Sequence, residues 1–154
     1  MTTIAARSAE HLPSDTAQMG RATHPAGAWH VLLAEDDRDM REMIATVLTA
    51  EGYEVIEARD GSELLSRLQE VAKQPRGRET LALIISDVRM PRLDGLDMLA
   101  ALRCARWYTP VILITAFGDE EVHREAHDLG AVAVLDKPFS LANLRSLVHQ
   151  IAPL

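Results

Sequence analysis

Residues 81–95 read LALIISDVRMPRLDG. The run at 81–86 is nearly all apolar, which is typical of a strand buried on both faces of a parallel sheet. It ends at Asp87, and the pair Asp94-Gly95 has the turn chemistry that precedes a helix. The segment therefore predicts a buried strand with an aspartate at its carboxyl end.

Three further strand-like runs also end in polar residues. These are 30–34 before Glu35 and Asp36, 111–114 before Thr115, and 132–135 before Lys137 and Pro138. Because open α/β sheets bind ligands at the carboxyl ends of their strands, these side chains are expected to meet Asp87 there. Three carboxylates, a hydroxyl and an amine predict a site for a divalent cation and a phosphoryl group.

Helical and strand-like periods alternate along residues 30–152. Apolar residues spaced three and four apart predict five helices, whose approximate ranges are 40–50, 61–71, 95–102, 119–129 and 141–151. A further short strand is predicted at 53–57, and the sequence QPRGR at 74–78 predicts a basic loop. Five β-α units in a row favour a parallel sheet with helices on both faces.

Composition narrows the class of protein. The chain has 154 residues, 47% hydrophobic and 25% charged, which is enough for one domain with its own core. Its 16 basic and 23 acidic residues give a net charge of -7, which argues against a nucleic-acid partner. No apolar run reaches the roughly 20 residues of a membrane helix, so no membrane partner is expected. Cys104 is the only cysteine, which favours a cytoplasmic location.

The chain is predicted to consist of a tail and one domain. Residues 1–28 contain scattered proline, glycine, serine and threonine without a sustained apolar period, which predicts a flexible N-terminal tail. Residues 29–154 are expected to form the domain. The sequence stops directly after the last predicted helix, so a stand-alone domain is expected.

The strand-end fragments resemble the signature segments of receiver domains in two-component response regulators. The segments are LAEDD at 33–37, DVRMPRLDG at 87–95, ITAFGD at 114–119 and DKPF at 136–139. Order and spacing agree as well as residue type, over about residues 30–152. The resemblance implies a flavodoxin-like (βα)5 fold with five parallel strands in the order 2-1-3-4-5.

The resemblance also implies the phosphorylation and metal chemistry of the site. Asp87 would accept a phosphoryl group from a phosphohistidine of a sensor histidine kinase or a histidine phosphotransfer protein. Glu35, Asp36 and Asp87, together with the backbone carbonyl of Arg89, would hold Mg²⁺.

Other residues would stabilise or sense the phosphoryl group. Lys137 would contact its oxygens, and Thr115, followed by Ala116, would move toward it. The family's lysine-proline peptide bond is usually cis, which the resemblance implies for Lys137-Pro138.

Three positions bear on how the signal is transmitted and how long it lasts. Val134 stands where many receivers have a tyrosine or phenylalanine that turns inward after phosphorylation, so the usual coupling to Thr115 is not expected. Arg89 and Phe117 occupy positions that tune dephosphorylation in the family. Their bulk is expected to obstruct the attacking water.

Each residue alone has a simpler interpretation. Asp87 could cap a helix, Thr115 could be a turn residue, and Lys137 could be solvated. Their joint occurrence at strand ends favours the receiver, but two alternatives remain open. One is a pseudo-receiver that binds partners without phosphorylation. The other is a Mg²⁺-dependent aspartyl phosphatase, and Arg89 at its second carboxylate position argues against it.

As a receiver, the protein would be a signalling module that catalyses only its own phosphorylation and dephosphorylation. It could bind a target protein, relay the phosphoryl group or act as a phosphate sink. The kinase is expected to dock near the first helix and the strand-edge loops. A target or a second copy is expected at the face formed by the fourth helix, fifth strand and fifth helix.

Overall fold

The computed structural model describes residues 29–116 and 120–154. The predicted tail at 1–28 and Phe117 lie outside the described residues. Five parallel strands form one sheet in the order β2-β1-β3-β4-β5. They are β1 (His30–Ala34), β2 (Glu54–Ala58), β3 (Leu81–Asp87), β4 (Val111–Thr115) and β5 (Ala133–Asp136).

Five main helices cover both faces of the sheet. They are α1 (Arg38–Ala50), α2 (Gly61–Lys73), α3 (Gly95–Cys104), α4 (Glu120–Asp128) and α5 (Leu141–Ile151). Helices α1 and α5 pack on one face with Val31 and Leu33 of β1. Helices α2, α3 and α4 pack on the other face with Leu32 of β1 and Ile84 of β3. The predicted flavodoxin-like fold is therefore confirmed.

The register of the sheet brings the polar strand ends to one edge. Ala34 of β1 pairs with Ser86 of β3, and Thr115 of β4 pairs with Asp136 of β5. Asp87, which follows Ser86 in β3, pairs with Ile114 of β4. The carboxyl ends of the four strands therefore lie side by side, which is the edge that open α/β sheets use for ligands.

Side-chain caps set where four of the helices begin. In each case the capping side chain accepts a hydrogen bond from the backbone N–H three residues later. The caps are Asp37, Asp60, Asp94 and Ser140. Because these residues are strong N-caps, they also fix the length of the loops between the strand ends and the helices.

The predicted loop at 74–78 is partly wrong, because a four-residue helix, Gly77–Thr80, begins within it. The Arg76 Nε is 2.7 Å from Glu79 Oε1. The guanidinium of Arg78 lies over the Trp107 ring, 4.5 Å from its centroid. A cation above an aromatic face is an attractive contact, which ties this segment to the chain beyond α3.

Two strands begin one residue later than predicted. Strand β2 begins at Glu54 and β5 at Ala133. Tyr53 precedes β2 because its backbone N–H donates to the Leu48 carbonyl at the end of α1, at 3.2 Å. Its hydroxyl donates to the Ala152 carbonyl at 2.6 Å. Across both described ranges, no helix has the length and apolar character needed to cross a membrane.

Arg106 adopts a left-handed backbone, with φ of 57°. It follows α3, and the Trp107 N–H donates to the Leu102 carbonyl, a pattern that favours glycine at a helix end. Arg106→Gly is expected to raise the free energy of unfolding by about 0.5–1 kcal/mol, because glycine has no Cβ to strain this conformation. Urea unfolding measures the change. Arg106→Ala keeps the Cβ, and an equal gain in that variant would contradict the explanation.

Candidate functional site

Asp87 lies at the carboxyl end of β3 and is only 5% exposed. Its strand is hydrogen-bonded on both sides, to β1 and to β4, which fixes the direction of the backbone at this point. Lys137, just past β5, donates a hydrogen bond from Nζ to Asp87 Oδ2 at 3.0 Å. The fold thus joins two residues 50 positions apart in sequence into a direct ion pair.

Glu35 and Asp36 follow β1 and lie beside Asp87. Each of the three residues offers one carboxylate oxygen, and these oxygens all lie within 4.8 Å of one another. Glu35 is fully buried, whereas Asp36 is exposed. The structure therefore brings together three carboxylates that can bind one cation, with Glu35 on its buried side and Asp36 on its exposed side.

The buried carboxylate of Glu35 is only partly satisfied. Its Oε2 accepts a hydrogen bond from the Asp37 N–H at 3.0 Å. Lys137 Nζ is 3.2 Å from Oε1, close enough for an ion pair. Oε1 nevertheless has no hydrogen-bond partner within the described ranges. A buried oxygen without a hydrogen bond lowers the stability of the fold, and a bound cation would offset this cost.

Burial and charge shift the protonation of this site. Burial is the main cause that raises the pKa of Glu35 to about 7; the Asp37 N–H and Lys137 oppose the rise, and the charge of Asp87 adds to it. Burial lowers the pKa of Lys137, but its hydrogen bond and charge interactions with Asp87 and Glu35 outweigh this and leave the pKa raised. The lysine therefore stays charged near neutral pH, while Glu35 holds its proton to a higher pH than an ordinary glutamate does.

These residues fit a hard divalent cation. Mg²⁺ takes oxygen ligands and usually keeps several waters, and the cluster offers carboxylate oxygens, among them the Glu35 Oε1 that accepts no hydrogen bond from a described residue. Arg89 is exposed two residues beyond Asp87. Its carbonyl as a further ligand stays a prediction.

The affinity for Mg²⁺ is expected to fall as the pH drops through about 7. Below this pH Glu35 holds a proton that the cation must displace, whereas above it the carboxylate is free. Binding at about pH 6 should be about tenfold weaker than at about pH 8. Calorimetric titration measures the affinities. Glu35→Gln cannot titrate, so its weaker binding should be nearly independent of pH; a preserved tenfold change would contradict the assignment.

Thr115, Ala116, Val134 and Pro138 lie on β4, on β5 or directly after these strands. Thr115 is buried at the end of β4, and its carbonyl accepts a hydrogen bond from the Lys137 N–H at 2.6 Å. The Lys137-Pro138 peptide bond is cis, as predicted. Ala116 is exposed beside Thr115. Val134 is half-buried and packs against the hydrophobic cluster that includes residues of α4.

The sequence reasoning missed one residue at this edge, Arg41. Its Nη1 donates to the Glu35 carbonyl at 2.8 Å, and its Nε donates to Glu57 Oε1 at 3.2 Å. A signal was available, because Arg41 is three residues before Ile44 and seven before Leu48, on the inner face of α1. A charged residue on an apolar helix face indicates a specific partner.

The fold and site define the class of protein. Residues 31–149 match the family model for the response regulator receiver domain. The chain belongs to this family, whose members serve two-component systems.

Relatives and solved structures agree with this assignment. The transcriptional regulatory protein PdtaR of Mycobacterium tuberculosis is 40% identical over 115 residues, which cover 74% of this chain and 52% of that protein. CpxR of Escherichia coli is 38% identical over 121 residues, or 79% and 47% of the two chains. The chain thus spans about half the length of these relatives. The Vibrio cholerae chemotaxis response regulator CheY4 has a TM-score of 0.69 and 31% identity, covering 81% of this chain and 99% of that chain.

Proposed function

We propose that the protein accepts a phosphoryl group on Asp87 in a Mg²⁺-dependent reaction and signals through the phosphorylated state. Receivers in general are phosphoacceptor signalling modules, which gives the class of function. The observation that carries the assignment to Asp87 is its position. It is a nearly buried carboxylate in contact with Lys137, within 4.8 Å of oxygens from Glu35 and Asp36.

The chemistry is an in-line transfer from a phosphohistidine. An oxygen of Asp87 forms a bond to phosphorus as the phosphorus–nitrogen bond breaks, and the imidazole of the donor takes up a proton. Bound Mg²⁺ would neutralise charge on the phosphoryl oxygens and would be held by Glu35, Asp36, Asp87 and the carbonyl of Arg89. Lys137 adds positive charge where the transferred group arrives, and such fixed charges supply most of the catalysis in phosphoryl transfer.

The switch acts through the end of β4. Thr115 offers a hydroxyl donor to the new phosphoryl oxygens, and it and Ala116 lie next to Lys137 and the cis bond to Pro138. Val134 has no ring to rotate, and its packing beside α4 gives it a fixed place. We therefore assign the response to Thr115 and the β4–α4 loop, without the aromatic rotation of other receivers.

The partners follow from the class of protein. Receivers interact with histidine kinases and with downstream proteins. We propose docking of a kinase or phosphotransfer protein near α1, and of a target protein or a second copy on the α4–β5–α5 face. Four further expectations stay predictions. They are that the protein acts as a stand-alone receiver, that it is cytoplasmic, that it has no nucleic-acid partner, and that it consists of a tail at 1–28 and a domain at 29–154.

Intact mass spectrometry with acetyl phosphate and Mg²⁺ tests this function. The protein is expected to gain the mass of one phosphoryl group and to gain none when the cation is removed with a chelator. Uptake that is equal without Mg²⁺ would contradict the metal-dependent reaction.

The mass measurement and an assay of phosphate release from monoesters separate the alternatives. A pseudo-receiver would gain no mass under conditions that label another receiver. A phosphatase would release phosphate from many monoesters with turnover, and this chain should not, because Arg89 stands where such enzymes have a second carboxylate. Steady phosphate release from several monoesters would overturn the proposal.

A further inference from the structure

We propose that Arg41 is a positioning residue for the metal site, acting through the peptide bond that joins Glu35 to Asp36. The inference rests on the proposed function, because it concerns the same Mg²⁺ site. Arg41 lies on α1 and contacts the backbone of Glu35, not the carboxylates that are proposed to bind the cation.

Arg41 is largely buried, and its guanidinium donates two specific hydrogen bonds. Its side chain is only 15% exposed. Nη1 donates to the Glu35 carbonyl at 2.8 Å, and Nε donates to Glu57 Oε1 on β2 at 3.2 Å. One side chain therefore links helix α1, the loop after β1 and the edge strand β2.

The Glu35 carbonyl is the important acceptor because it belongs to the peptide that precedes Asp36. Glu35 is also fixed by its own N–H, which donates to the Ala58 carbonyl at 3.0 Å, and by the contact of its carboxylate with the Asp37 N–H. The Asp36 side chain makes no hydrogen bond or ion pair with any described residue. Its direction therefore depends on the orientation of its backbone, which Arg41 holds from one side.

Charge explains why the arrangement includes Glu57. A lone guanidinium beside a cation site would repel the cation, and the pairing of Arg41 with Glu57 offsets that charge. A guanidinium can donate to both acceptors at once in a fixed geometry, which an ammonium group does less well. Arg41 thus orders the loop at little electrostatic cost to the metal site.

Calorimetric titration of Mg²⁺ into purified full-length variants tests the inference. Arg41→Met is expected to weaken Mg²⁺ binding about tenfold, the scale typical for residues that orient metal ligands. Arg41→Lys should recover part of the loss, because an ammonium can still reach the carbonyl. The matched control is Arg38→Met, on the same helix, which removes only an exposed pair with Glu42 and should bind like the wild type.

A double-variant cycle separates positioning from a general effect on stability. If Arg41 acts through Asp36, Arg41→Met should cause little further loss of affinity in an Asp36→Ala background. The same tenfold loss in both backgrounds would overturn the inference, as would wild-type affinity in Arg41→Met. Thermal unfolding of each variant checks that the fold is intact, and Arg41→Lys keeps the test valid if Arg41→Met does not fold. A wild type that binds no Mg²⁺ would overturn the proposed function together with this inference, whereas equal binding by wild type and Arg41→Met overturns the role of Arg41 alone.

Discussion

Asp87→Asn is expected to take up no phosphoryl group from acetyl phosphate under conditions that fully convert the wild type. Asparagine matches aspartate in size, so it fits the nearly buried position, but its amide lacks the carboxylate charge that makes the oxygen a nucleophile. Intact mass spectrometry over a time course measures the uptake. The effect is the largest that the structure predicts, because the reacting atom itself is changed.

Asp94→Asn is the matched control for this substitution. It makes the same chemical change in the same β3–α3 connection, at the residue that caps α3. Because asparagine caps helices as well as aspartate does, the fold and the phosphorylation rate should be preserved. Equal labelling of Asp87→Asn and Asp94→Asn would show that another residue accepts the phosphoryl group.

Lys137→Met is expected to slow phosphorylation about a hundredfold or more, the usual loss when one fixed donor to the developing charge is removed. The Lys137 ammonium is 3.0 Å from Asp87 Oδ2 and 3.2 Å from Glu35 Oε1, so it contacts both carboxylates. Methionine keeps the length of the side chain without its charge. The rate of mass gain at saturating Mg²⁺ gives the measurement.

The control for Lys137 is Lys73→Met, in the last turn of α2. Lys73 is exposed and lies at the opposite end of the strands from the site, so its removal should leave the rate unchanged. A rate for Lys137→Met within about threefold of the wild type would contradict the electrostatic role, since such a change corresponds to well under 1 kcal/mol in the barrier.

Much of the fold could be predicted because its signals are local. Alternating strand and helix periods indicated the five β-α units, and polar residues after each apolar run indicated which strand ends meet. The shifted start of β2 has a different origin. Tyr53 gives its backbone N–H to the Leu48 carbonyl at the end of α1 and its hydroxyl to the Ala152 carbonyl, 99 positions away. Such contacts leave no periodic trace in the sequence.

Some residues of the candidate site could also be predicted from the sequence, and others could not. The acids and Lys137 could be named from their place after strands. Arg41 had a sequence signal as a charge on the apolar face of α1, but its role could not be predicted, because it depends on the path of a loop and on Glu57 of β2. The contact of Arg78 with Trp107 is similar, since it joins the predicted basic loop to the chain beyond α3. Residues that act through tertiary contacts require the three-dimensional structure.

Val134 shows how sequence and structure combine. The sequence predicted the absence of an aromatic switch, and the structure adds that the valine packs with the residues beneath α4. The route from phosphorylation to output is therefore expected to involve Thr115 directly. The proposed phosphorylation site therefore has the charged groups that the resemblance implies, whereas position 134 lacks the aromatic ring that the resemblance implies for many receivers.

The most direct test of the account is to identify the residue that carries the phosphoryl group in the wild-type protein. Borohydride reduces an aspartyl phosphate to the corresponding alcohol, and peptide mass spectrometry then locates the reduced side chain. After treatment with acetyl phosphate and Mg²⁺, the reduction is predicted at position 87 and at no other aspartate or glutamate. Reduction at a different carboxylate, with none at Asp87, would contradict the account.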